Sequence, residues 1–182
     1  MAGAGLIGSR LADMARDSGW KIRILHRSGP GRAPREGLEV DASSREHAWW
    51  APAEHLLAPG ALEGARAVVC LSGAPIAPRP WTPARRRVLA ASRLSTIALI
   101  ARVAADLPPA VRPEVLLSGS ATGFYGNRGD EILTETCGPG EGFLSELCQR
   151  WEAAAGPAAR VGLRTVQSRT GLVVSPLGGL GR

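Results

Sequence analysis

The 182-residue chain predicts an α/β fold, a doubly wound parallel sheet with helices on both faces. Three observations carry this expectation. Short apolar runs alternate with helix-patterned stretches along the length, the order that β-α-β units produce. The runs "ARAVVCLSG" (65–73) and "PEVLLSGS" (113–120) are apolar nearly throughout, as strands buried on both faces are. The chain also opens on Gly3, Gly5 and Gly8 in the spacing G-x-G-x-x-G, directly ahead of a helical pattern.

The elements follow in order. Leu6, Ile7, Leu11, Met14 and Ala15 share one helical face, and Gly19 ends that helix. "WKIRILHR" (20–27) alternates Ile22 and Ile24 with Lys21 and Arg23 and reads as a strand. A Gly, Pro and Arg-rich loop spans 28–37, and "GLEVDA" has room for a short strand. Residues 43–64 carry no clear period, which puts Trp49, Trp50 and Pro52 in a loop. A long helix starts with Thr82 as N-cap and Pro83 at its first position. "GEGFLSELCQRWEAAAG" is an amphipathic helix, and "VGLRTVQSRTGLVV" (161–174) a strand and its continuation. With no repeat or low-complexity linker, residues 1–182 read as one domain.

Composition narrows the function classes. Hydrophobic residues make up 45% and mean hydropathy is near zero, which suits a folded globular chain. No run reads as long enough to span a bilayer, which takes about 20 residues, and no secretion signal opens the chain. A cytoplasmic protein without a membrane partner is therefore expected. Cys70, Cys137 and Cys148 are few, odd in number and widely spaced, as in a reducing compartment. They form no C-x-x-C pair, and His26, His47 and His55 show no ligand spacing, so no metal is expected. The net charge is +6, almost all of it arginine, since Lys21 is the only lysine. The densest cluster, "ARRRVLAASR" (84–93), lacks interleaved aromatics and reads as a solvated helix start. Nucleic acid is not an expected partner; a single bound anion is the functional alternative.

The glycine loop carries the chemistry. Glycines at this spacing allow a tight turn and let backbone N–H groups approach a pyrophosphate at a helix N-terminus. In a Rossmann sheet the strand ahead of the loop is central. Here only Met1 and Ala2 precede Gly3, so the first strand is expected to be missing. At the end of the next strand, NAD sites usually place an acidic residue on the ribose. This chain has His26, Arg27 and Ser28, and an arginine suits a 2′-phosphate. NADP is thus favoured as cofactor, with NAD the alternative.

The stretches "AGAGLIGSRL", "LEGARAVVCLSGAPIAPRPWT", "SRLSTIALI", "LLSGSATGFYGNRGDEILTE", "GFLSELCQRWEAAA" and "SRTGLVV" together resemble the short-chain dehydrogenase/reductase superfamily. More narrowly they resemble its atypical branch, the NAD(P)-dependent epimerase/dehydratase-like "epimerase family" proteins. They stand in the order of that family and cover nearly the whole chain. The resemblance implies that Gly3, Gly5, Leu6, Ile7 and Gly8 wrap the pyrophosphate and that Arg27 sits near the adenosine ribose. It implies that Leu71, Ser72 and Gly73 pass under the cofactor and that Ser118 and Ser120 end a strand near the nicotinamide. Trp81, Arg93 and Arg169 match positions typical of the branch. The resemblance also implies a chain cut at both ends, lacking its first strand and its C-terminal substrate region.

One departure matters. Most of the superfamily uses a Tyr-x-x-x-Lys pair, in which lysine assists proton transfer by tyrosine. This chain has one tyrosine, Tyr125, and one lysine, Lys21, which cannot form that pair. The helix that should carry it reads Phe143, Leu144, Ser145, Glu146, Leu147. Tyr125 as acid or base and Ser120 orienting a substrate oxygen remain the catalytic candidates, against Tyr125 as a packed turn residue. Asp130, Glu131 and Glu135 read as solvated loop, Glu141, Glu146 and Glu152 as helix surface, and Cys148 as core. The expected function is an NAD(P)-binding epimerase/dehydratase- or oxidoreductase-like protein, with a sugar nucleotide among the candidate substrates. The alternatives are a non-catalytic dinucleotide-binding sensor or structural protein, and an inactive truncated remnant.

Overall fold

A computed structural model describes residues 5–29, 37–76, 79–175 and 178–179. Gly3 lies outside the described residues. Helix α1 (Leu6–Asp17) begins at Gly5 and ends at Ser18. Gly19, at φ +82°, then turns the chain into strand β1 (Arg23–Arg27). That left-handed turn is one glycine tolerates and other residues rarely adopt. Short strand β2 (Glu39–Val40), strand β3 (Glu46–Ala51) and short strand β4 (Leu56–Leu57) follow. Strand β5 (Ala67–Cys70), helix α2 (Pro83–Asp106) and strand β6 (Val115–Ala121) form a β-α-β unit. Helices α3 (Phe143–Ala153) and α4 (Gly156–Arg160) lead to strand β7 (Arg164–Thr170). Strands β8 (Val174–Ser175) and β9 (Gly178–Gly179) form a small antiparallel pair.

β1 runs parallel to β3, with Arg23 opposite Glu46, and β2 and β4 flank β3 antiparallel. β5, β6 and β7 are parallel and adjacent, with Val115 of β6 opposite both Ala67 and Arg164. Leu25, Val68, Cys70 and Leu116 of these strands share one core with Ile97, Ile100 and Ala104 of α2 and Ala158 of α4. Each large aliphatic side chain buried there contributes about 1.5–3 kcal/mol.

Helix α2 starts as its sequence requires: Thr82 accepts a hydrogen bond from the Arg85 amide at 3.2 Å, and Pro83 fills the first position. By length and composition alone α2 could cross a bilayer, which corrects the expectation that no run is long enough. It is a core helix of this fold, with Leu89, Ile97, Leu99 and Ile100 buried. A second correction concerns residues 43–64. Trp49 and Trp50 lie in β3 rather than a loop, and Trp50 is fully buried in the core. The strand signal is hidden because adjacent Trp49 and Trp50 break the alternation of a six-residue strand and Pro52 follows it at once.

The apolar face of α1 exists, but Ile7, Leu11 and Met14 remain exposed. Leu11, Met14, Ile22, Leu25, Leu62 and Val68 line a cavity of about 670 Å³ between α1, β1 and β5. Among the described residues no strand stands between β1 and β5, and each ends its own sheet path. Among the described residues, two strand edges therefore flank an apolar cavity.

Candidate functional site

The last turn of α1 and the first residues of β1 and β5 line the same cavity. The helix therefore runs back along the sheet, and its N-terminus lies toward the carboxyl ends of the strands. Twelve residues of helix rise about 18 Å, close to the length of a five-residue strand at about 3.3 Å per residue. Gly5 is the N-cap, with no side-chain cap and no acidic residue in the first turn. Among the described residues, a Cβ added at Gly5 meets nothing within 4 Å. Leu6 is half-buried and Ile7 exposed, while Gly8 is buried inside the first turn.

Arg27 ends β1 with an exposed side chain. Ser28 follows, its amide bonded to the Trp50 carbonyl at 2.8 Å. The Ser28 hydroxyl is buried and has no hydrogen-bond partner among the described residues. Behind them His26 Nε2 lies 2.6 Å from His47 Nδ1, and His47 Nε2 lies 2.9 Å from an Asp41 carboxylate oxygen. Burial first, and His47 second, hold the His26 imidazole below its ordinary pKa.

Leu71, Ser72 and Gly73 leave the carboxyl end of β5, with Ser72 buried and Gly73 exposed. Arg93 straps this segment to α2. Its Nη2 donates to the Ala74 carbonyl at 3.0 Å, its Nη1 to the Leu89 carbonyl at 3.1 Å, and it lies over the Trp151 ring. The arginine cluster 84–93 is thus not wholly solvated, since Arg93 is buried. Desolvation pushes its guanidinium pKa down.

β6 continues to Ala121, which corrects the expectation that Ser118 ends the strand. Ser118 is mid-strand and fully buried, its hydroxyl 3.0 Å from the Gly119 carbonyl. Ser120 stands nearer the end and donates to Glu152 Oε1 at 2.6 Å. Glu152 is not helix surface, as the sequence suggested; its side chain is 15% exposed. Arg169, opposite Ser120 on β7, holds both Glu152 oxygens at 2.9 Å through Nε and Nη2. Its Nη1 donates to Tyr125 Oη, also at 2.9 Å, and its guanidinium stacks over the Phe124 ring. Burial alone would raise the Glu152 pKa, but hydrogen bonds from Arg169 and Ser120 hold it below its usual value. Arg169 is pushed up, chiefly by its bond to Glu152.

Tyr125 closes the short 3₁₀ helix Thr122–Tyr125 and is 8% exposed, edge-on to Phe124. Ser145 Oγ, at the start of α3, lies 2.7 Å from the Phe124 carbonyl and 2.8 Å from that of Gly140, donating to one at a time. This pins the tyrosine turn to α3. The sequence brought Ser120 and Tyr125 forward and missed Glu152 as their link. A signal existed: Ser145, Cys148 and Glu152 stand three and four residues apart on one helical face, and the first two are buried.

A parallel α/β sheet with a glycine-capped helix and polar residues at its strand ends defines a Rossmann-type fold. No protein-family model matches the chain. Among curated proteins, epimerase family proteins of Mycobacterium bovis and Mycobacterium tuberculosis are each 36% identical over 177 residues, 97% of this chain and 54% of theirs. The chloroplastic epimerase family protein SDR39U1 homolog of Arabidopsis thaliana is 30% identical over 175 residues, 96% of this chain and 48% of its own. The chain spans about half the length of the curated relatives it matches. Among solved structures, the nucleoside-diphosphate sugar epimerase of Corynebacterium glutamicum is 31% identical with a TM-score of 0.78, covering 99% of this chain and 35% of that one. Human epimerase family protein SDR39U1 (isoform 2), solved with NADPH, is 25% identical with a TM-score of 0.73, covering 98% and 56%. The resemblance to the epimerase-family branch of the short-chain dehydrogenase/reductases is borne out by these likenesses.

Proposed function

We propose that this chain carries the dinucleotide-binding half of an NADP-preferring, epimerase- or oxidoreductase-like activity on a small hydroxylated substrate, a sugar nucleotide being the favoured class. The observation that carries the reading is the donor set at the strand ends. Uncapped N–H groups at Gly5 and Leu6 suit a pyrophosphate. Exposed Arg27 and the Ser28 hydroxyl, which has no partner among the described residues, suit a 2′-phosphate on the neighbouring ribose. Gly8, without a side chain in the first helical turn, leaves room for an anion to approach the backbone, and Gly3, Leu6, Ile7, Leu71, Ser72, Gly73 and Ser118 are the further residues assigned to the dinucleotide in this reading. The human relative solved with NADPH supports the same cofactor class.

When bound, a nicotinamide supplies hydride exchange at a carbon bearing oxygen. The chain supplies the proton. Tyr125 Oη accepts from Arg169, which leaves its own O–H as the donor it would offer to a substrate oxygen. Ser120, one residue before the end of β6, gives its O–H to Glu152, so it meets a substrate hydroxyl as an acceptor.

The test is a fluorescence titration with NADPH and NADH. NADPH is expected to bind about tenfold more tightly, and Arg27→Ala to erase the difference, the scale of one charge-assisted contact. Equal affinity for both, or none for either, would falsify the reading.

A further inference from the structure

We propose that Arg169 is the cationic partner of Tyr125, replacing the absent lysine, and that Glu152 is the positioning residue that aims it. The proposal deepens the reading of Ser120 and Tyr125 as site residues and rests on it.

The geometry has one arginine serving two groups. Nε and Nη2 occupy both oxygens of Glu152, a bidentate fork that fixes the plane of the guanidinium. Nη1 lies outside the fork, and it points at Tyr125 Oη at 2.9 Å and the Glu135 carbonyl at 3.4 Å. Phe124, beneath the guanidinium, blocks its retreat on one side. Glu152 is itself held by Ser120. Four side chains from β6, the tyrosine turn, α3 and β7 therefore form one chain of hydrogen bonds, Ser120–Glu152–Arg169–Tyr125. When Tyr125 gives up its proton, the phenolate faces a cation already in place; when it takes the proton back, the same donor remains. A lysine four residues along a helix is not required, because the cation arrives from the neighbouring strand.

The chain offers a direct readout, since Tyr125 is its one tyrosine. The alkaline rise of tyrosinate absorbance reports this side chain alone. The ionisable groups facing it are Arg169 on β7, Glu152 and Cys148 on α3, and Cys137 in the loop packed on the turn. Arg169→Gln is expected to move the absorbance step to higher pH, the direction that loss of a close opposite charge gives. Glu152→Ala discriminates positioning from bulk charge. Removing a carboxylate near a phenol shifts the step to lower pH if charge is all that matters. If Glu152 aims Arg169, the step shifts to higher pH, because the guanidinium is released. Arg169→Lys should restore part of the parent position. Circular dichroism checks folding, and Glu152→Met, which has no oxygen to hold the guanidinium, replaces the alanine variant if that one unfolds, with the same upward shift expected. A step unmoved by Arg169→Gln, or lowered by the Glu152 change, overturns the proposal. NADPH titration of the same samples keeps the two readings separate: shifted steps in a chain that binds no dinucleotide would leave the pair standing and sink the cofactor reading.

Discussion

Gly73 and Arg93 are locked face to face. A Cβ at residue 73 would stand 3.0 Å from the guanidinium carbon of Arg93 and 3.2 Å from Nη2. Arg93 is bonded at both ends, to Ala74 and Leu89, and packed on Trp151, so it has little freedom to yield. Gly73→Ala is expected to cost about 1–2 kcal/mol, through overpacking and one strained charge-assisted bond. Urea denaturation measures it. In an Arg93→Met background the same substitution should cost less than half as much; equal costs in both would show that the two residues are not coupled.

The tyrosine turn depends on another close approach. A Cβ at Gly140 would overlap the Tyr125 carbonyl, with Gly126 Cα behind it at 2.8 Å. These are backbone atoms and cannot swing aside. Gly140→Ala should therefore lower stability by about 2–3 kcal/mol and change the near-ultraviolet dichroism of Tyr125. Gly138→Ala is the control, because nothing lies within 4 Å of its Cβ position. A Gly140 variant as stable as the Gly138 variant would mean that the 138–142 loop does not rest on the turn.

Much of this architecture was legible because local and tertiary signals agree. Thr82-Pro83 starts α2 in sequence and in structure, and the apolar runs at β5 and β6 are buried strands. Trp50 was not legible, because two adjacent tryptophans inside the strand and Pro52 directly after it leave no period. At the site, Ser120 and Tyr125 were legible as polar groups near a strand end. Glu152 was hidden, because on a helix face its partner is a strand residue seventeen positions away. Sequence spacing within one element cannot reveal a contact made by the register of β6 against β7.

Glu152 also makes stability depend on pH. Burial works against its charge, yet its hydrogen bonds from Arg169 and Ser120 prevail and depress its folded pKa. A depressed carboxylate binds fewer protons in the folded state. Its stabilisation is therefore complete above its unfolded value, about 4.3, and is lost as pH falls through the folded one. The urea midpoint of the parent should exceed that of Glu152→Gln at pH 7, and the gap should narrow below about pH 4. A gap of constant size from neutral to acid pH would show that the carboxylate charge contributes nothing to the fold.

The slot between β1 and β5 gives the last prediction. Its walls are apolar side chains of α1, β1 and β5, and β1 and β5 each end their sheet path there. Among the described residues no strand pairs those two edges, and apolar walls left uncovered forgo stabilisation. β1 has five residues and β5 four, which sets the length of strand that fits. Fusing a strand of about five Val and Ile residues ahead of Gly3 should fill the slot and pair both edges. Burying even two or three such side chains contributes several kcal/mol, and a chain of this size gains about 2–4 °C per kcal/mol. A rise of about 5–10 °C in Tm is thus expected, with Leu11 and Met14 losing solvent exposure in hydrogen exchange and oxidation. An extension of Ser and Gly residues of the same length should leave Tm unchanged. If both extensions behaved alike, the slot would not be a strand site, and its apolar lining would belong to some other packing of α1 on the sheet.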